Sequence, residues 1–167
     1  MNMKLVVTGH DAQGVSIFSY AGTPPRQNSP GSYDLWSTRG ECVVPDATDA
    51  MAPAKIGYFP KEGETAWKIV SVPGLAARAS MPAGAVSLPD EIRAHFDPKD
   101  PEMHTTDTID YVFILSGTAD LELDQGRKEA VGAGDCIVQR GTRHAWRVTS
   151  QEPLVMCAAL FGAERKR

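Results

Sequence analysis

The sequence predicts an all-β protein, a sandwich or a small barrel, and three observations carry that prediction. From residue 103 onward, short runs of β-branched, aromatic and aliphatic residues follow one another at the spacing of strands. Turn residues separate them, among them Gly117, Asp124-Gln-Gly126 and Gly141-Thr142. Twelve prolines, most of them between residues 24 and 101, exclude long regular helices from the earlier part.

Taken in order, Lys4 to Thr8 and Val15 to Tyr20 are predicted strands either side of the turn-like segment GHDAQG. Asp34 to Thr38 and Trp67 to Val72 are further strands. One short helix is predicted, because Leu88, Ile92 and Phe96 recur every fourth residue and share a face. Asp90, after Pro89, caps its start, and Pro98 closes it. Asp110 to Leu115 is an apolar run led by a carboxylate. Ala119, Leu121 and Leu123 then alternate with Asp120, Glu122 and Asp124, the period of a strand with one wet face. Lys128 to Val131, Cys136 to Gln139, His144 to Thr149 and Leu154 to Phe161 complete the series.

A chain of 167 residues, 42% hydrophobic, suits one core. Its net charge of −4, with scattered Lys and Arg, argues against nucleic-acid binding. No apolar run approaches the roughly 20 residues of a membrane helix. The start, MNMKLVVTGHD, lacks the long apolar stretch of a secretory signal, so a cytoplasmic protein is expected. Cys42, Cys136 and Cys157 show no CxxC spacing, which argues against a disulfide framework. Cys136 and Cys157, in apolar runs, read as buried thiols. Arg165, Lys166 and Arg167 read as a solvated tail.

The chemistry concentrates between Met103 and Trp146. His104 and Asp110 have the same parity, but an unbroken strand would hold them roughly 20 Å apart. Atoms on one metal lie at most about 4.2 Å apart. The chain must therefore bend through Thr105 to Thr108 if both serve one ion, with His104 ending one strand and Asp110 beginning the next. His144 follows the Gly141-Thr142 turn, and Trp146 shares its parity, so His144 facing inward would give the interior an aromatic wall. Two imidazoles and a carboxylate can hold iron, manganese, nickel or zinc with positions left open.

These residues resemble the cupin superfamily. Its first motif reads Gly, five residues, His-x-His, three or four residues, Glu, six residues, Gly. His104 matches the first histidine, Thr106 takes the second histidine position, and Asp110 replaces the glutamate before Gly117. In the second motif Gly134, Gly141 and His144 match, Arg140 stands beside the turn glycine, and Val148 replaces the closing asparagine. The resemblance covers about residues 75 to 163. More narrowly, HTTDTIDY with VQRGT-x-HAW is similar to a subgroup of small single-domain bacterial and fungal cupins.

The resemblance implies a double-stranded β-helix, the jelly-roll barrel. Residues 76–163 would form it, with 1–75 as extra strands packing on the barrel or on a dimer partner and 164–167 as a charged tail. It implies a divalent transition metal on His104, Asp110 and His144. Thr106, Gln139, Arg140 and Trp146 are the candidate substrate contacts, Arg140 because a guanidinium forks onto carboxylates. His144 is the candidate catalytic residue. His10 reads as a turn residue, His95 as a helix-end residue, and Asp107 as a turn former. Trp36 and Trp67 read as core or interface residues, and an unpaired sheet favours a homodimer. Two functions compete. One is a metal-dependent enzyme for a small organic metabolite, by oxygenation, decarboxylation, dehydration or isomerisation. The other is a non-catalytic small-molecule binder with a degenerate metal site.

Overall fold

The computed structural model describes residues 3–82 and 90–166. Strands dominate, in three sheets. β1 (Leu5–His10) and β2 (Ser16–Gly22) form a hairpin of their own. β3 (Arg26–Ser29), β4 (Ser32–Arg39) and β5 (Glu64–Val72) follow, then two short helices, α1 (Leu75–Ser80) and α2 (Asp90–Arg93). The remaining strands are β6 (Phe96–Asp97), β7 (Asp100–His104), β8 (Thr108–Ser116), β9 (Thr118–Leu123), β10 (Lys128–Gly132), β11 (Cys136–Arg140), β12 (His144–Val148) and β13 (Leu154–Gly162). No helix among the described residues is long and apolar enough to cross a membrane.

Two sheets make the barrel. One runs β10-β9-β12-β7-β6 and the other β11-β8-β13-β5-β4-β3. From β7 onward the chain passes repeatedly from sheet to sheet, which is the double-stranded β-helix. Alternation sets the core. Val112 and Ile114 on β8 and Leu154, Met156, Ala158 and Leu160 on β13 point inward, while their odd-parity neighbours point out. They meet Ala119, Val131 and Val148 from the opposite sheet. Gly117 ends β8 at φ 80°, and a Cβ there would stand 2.5 Å from the Pro153 carbonyl oxygen.

The hairpin β1–β2 lies on the outer face of the larger sheet. Leu5 packs there with Leu35 and Ile69, supported by Tyr33, Val155 and Cys157. Farther along that face, outward side chains are exposed among the described residues. Val138, Tyr111, Ala159 and Trp67 are successive register partners across β11, β8, β13 and β5. Val138 is 60%, Tyr111 56% and Trp67 43% exposed.

Several expectations change. Of the predicted helix the described residues show only α2, ending at Arg93, and Phe96 belongs to β6, where its ring stacks on His104 at 4.6 Å; α1 was not expected. Leu88 and Pro89, on which the helix prediction partly rested, lie outside the described residues. Cys136 is exposed and Cys157 half-buried, because both have outward parity on their strands. Arg165 is exposed, as expected of the charged tail, but it is also tethered. Its guanidinium donates to the carbonyls of Thr106 (2.8 Å) and Gly141 (3.1 Å) and pairs with Asp107, clamping two loops together.

Candidate functional site

The turn around Gly141 brings the first half of the site into place. Gly141 adopts φ 63°, and the chain re-enters the smaller sheet at His144. There His144 is the register partner of His104, the last residue of β7. Directly opposed side chains share one face, and the two ring centroids are 4.2 Å apart. Backbone carbonyls orient both rings. His104 Nδ1 bonds the Glu102 oxygen at 3.0 Å, and His144 Nδ1 bonds the Thr142 oxygen at 2.9 Å. A carbonyl only accepts, so each Nδ1 carries the proton and each Nε2 is left with a free lone pair.

Both imidazoles are held neutral. Burial pushes His144 down to about 4, with the neighbouring His104 adding to the effect. Burial lowers His104 as well, and His95 beside it contributes. His95 bonds the Thr105 oxygen through Nδ1 at 3.1 Å, and its ring meets Phe59 edge-on at 4.7 Å. It is a third imidazole near the pair that its helix-end reading missed. The strand β6 that carries Phe96 past His104 brings it there, and two residues of strand leave no periodic signal.

Asp110 stands on the opposite sheet. The predicted bend exists: β7 ends at His104, β8 begins at Thr108, and the two belong to different sheets. Asp110 shares the inward parity of Val112 and Ile114 and is 8% exposed. Burial pushes its carboxyl up to about 6, and Thr108 offsets part of that. Its register partner on β11 is Gln139, 4% exposed. Gln139 accepts a hydrogen bond from the Thr142 hydroxyl at 2.6 Å. Thr106 and Thr108, both buried, bond through their hydroxyls at 2.8 Å. Thr142 links Gln139 to the histidine pair, its hydroxyl donating to Gln139 Oε1 and its carbonyl accepting from His144 Nδ1, while Asp110 and Gln139 are not hydrogen-bonded to each other. Trp146 lines the interior beside that pair, its ring perpendicular to that of His144 at 6.0 Å. Arg140 does not join. It has the parity opposite to Gln139 and is exposed on the outer face.

The expected metal triad meets the structure only in part. Two imidazole nitrogens with free lone pairs suit a divalent transition metal, and the buried Asp110 Oδ1 lacks any hydrogen-bond partner. Among the described residues, however, no three His, Cys, Asp or Glu side chains gather closely enough to hold an ion. His104 and His144 are neighbours in one sheet, whereas Asp110 reaches inward from the facing one, beside Gln139. The side chains present do not complete a metal centre.

The family match agrees with this architecture. Residues 92–160 match the family model for the cupin domain. The chain is 31% identical over 144 residues to phomopsin biosynthesis cluster protein C' of Diaporthe leptostromiformis, covering 84% of this chain and 68% of that protein. It is 46% identical over 44 residues to a cupin-domain-containing oxidoreductase of Neurospora crassa, covering 26% of this chain and 22% of the relative. Among solved structures, a Cupin 2 conserved barrel domain protein from Salinispora arenicola aligns at 23% identity with a TM-score of 0.34, over 60% of this chain and 63% of that one. The chain belongs to the cupin superfamily.

Proposed function

We propose that this cupin is an enzyme acting on a small organic metabolite, aromatic or carbonyl-bearing, held between the two sheets. His104 and His144 carry the chemistry. The observation that supports this reading most directly is the pair of imidazoles, each with Nδ1–H tied to a carbonyl and Nε2 free. A buried, neutral imidazole with a free Nε2 is a competent general base or ligand. Trp146 walls the site, Thr106 supplies a hydroxyl, and Gln139 faces the bound molecule. Relatives named for a biosynthesis cluster and for an oxidoreductase are compatible with an enzyme. Oxygenation, decarboxylation, dehydration and isomerisation all fit such a site.

The metal-dependent form of this reading seats iron, manganese, nickel or zinc on the two Nε2 atoms. Its support is the donor chemistry alone, and the metal would supply Lewis-acid or redox chemistry. The second reading is a non-catalytic small-molecule binder, favoured by the side chains that fail to complete a metal centre. Elemental analysis of untagged protein decides between them. A stoichiometric transition metal, lost in both His104→Ala and His144→Ala, establishes the metal form. Metal-free protein that still transforms substrate, and loses that activity in His144→Ala, establishes acid–base catalysis. Tight binding of a metabolite recovered unchanged from the protein, with neither metal nor turnover, assigns the binder.

A further inference from the structure

Among the described residues three buried side-chain atoms lack a hydrogen-bond partner, Arg26 Nε, Asp110 Oδ1 and Gln139 Nε2, and the last two lie side by side on one sheet. They are register neighbours on adjacent strands, so their side chains project from one face with Cβ atoms about 5 Å apart. The Thr142 hydroxyl donates to Gln139 Oε1 at 2.6 Å, and in this arrangement Nε2 is the open end. A buried donor or acceptor left unmade costs about 1–3 kcal/mol. Two such groups side by side mark a place prepared for a ligand.

We propose that Asp110 and Gln139 form a recognition subsite for a neutral amide whose N–H and C=O lie on the same side, a primary carboxamide or a lactam. The ligand's N–H is donated to Asp110 Oδ1, and its carbonyl accepts from Gln139 Nε2. A trans peptide presents these groups in opposite directions and cannot make both bonds. An anionic carboxylate would set its oxygens against Asp110 with no cation to compensate. Lys68, buried on the inner face of the same sheet, is already paired with Asp34, and Arg140 faces outward. This assignment rests on the reading that the ligand lies between the sheets, and it is independent of what the histidines do to it.

The test uses the full chain and four probes: benzamide and 2-pyrrolidinone against benzoate and N,N-dimethylbenzamide, measured by calorimetry. At least one of the first two should bind, at least tenfold more tightly than either comparator. That binding should weaken tenfold or more in Gln139→Glu and in Asp110→Leu. It should persist in Arg140→Ala, the outward-facing neighbour of Gln139 on the same strand, which separates loss of the subsite from general damage to that strand. Benzoate binding as well as benzamide, absence of binding by either amide, or unchanged affinity in Gln139→Glu each overturns the assignment.

Discussion

His104 and His144 are opposed residues of two antiparallel strands, and the turn at Gly141 closes the register that pairs them. Burial lowers the proton affinity of both rings, the His104 ring adding to the effect at His144 and His95 adding to it at His104.

The first prediction concerns acid. In the folded protein Asp110 titrates at about 6 and His144 at about 4, against 3.8 and 6.5 for the free groups. Between pH 4 and 6 the folded chain keeps the proton on Asp110 and leaves His144 bare. The unfolded chain does the reverse. Both states then bind one proton between these two groups, so their joint contribution to stability is flat across that window. Asp110→Asn removes the compensation. A histidine with a depressed value contributes stability that is complete above pH 6.5 and declines as pH falls toward 4. The variant should lose roughly 2–3 kcal/mol more than the wild type between those pH values. Urea melts of metal-free protein at pH 7 and pH 4.5 measure the difference, and parallel pH profiles for the two proteins would refute it.

The second concerns association. The bare row of Val138, Tyr111 and Trp67 is contiguous apolar surface of the kind that marks interfaces. Wild-type protein is expected to sediment as a homodimer through this face. Tyr111→Asp combined with Val138→Asp should give a folded monomer with an unchanged histidine site. A wild-type monomer at high concentration, or a dimer indifferent to both changes, refutes it.

A third prediction follows from Arg147. Its guanidinium reaches Glu122 at 2.9 Å, Glu102 at 2.8 Å and Asp100, and so ties β12 to β9 and β7. These hydrogen bonds hold Asp100 and Glu122 below the usual carboxylate range and raise Arg147 further. Arg147→Met should lower the melting temperature clearly, because it leaves three carboxylates facing one another next to the His104 strand. An unchanged melting temperature in Arg147→Met would show that the network contributes no more than isolated surface pairs do.

The fourth locates the core. Ile114 is wholly buried, on the inward parity of β8. Ile114→Ala should cost about 2–5 kcal/mol. Phe113→Ala, on the outward parity of the same strand, should cost far less in a monomeric variant background. Denaturant unfolding distinguishes them, and similar losses would mean that the inward and outward faces are misassigned.

Strands with a clear period were legible in advance. The alternation from Thr118 to Leu123 and the run from Leu154 to Gly162 each come within two residues of expectation, because side chains that alternate between core and water leave a two-residue pattern. β3, β6 and α1 were missed. β3 and β6 are short edge strands, and α1 contains no buried residue, so none leaves a one-faced apolar pattern. His104, Asp110, Gln139, His144 and Trp146 were singled out by residue type and parity, and the chain turns between His104 and Asp110 where Thr105 to Thr108 is polar. Arg140 was chosen for its chemistry, against its own parity, and it lies outside.

Local pattern alone determined which residues face inward, where turns fall, and that two histidines and a carboxylate occupy inward positions. These depend only on strand period and turn chemistry, both written in adjacent residues. Only the tertiary structure decided how far apart those positions lie. Sheet membership sets His104 beside His144 and leaves Asp110 with Gln139 on the facing wall. It is settled by long-range strand pairing and by the thickness of the packed interior, neither of which any short stretch of sequence encodes.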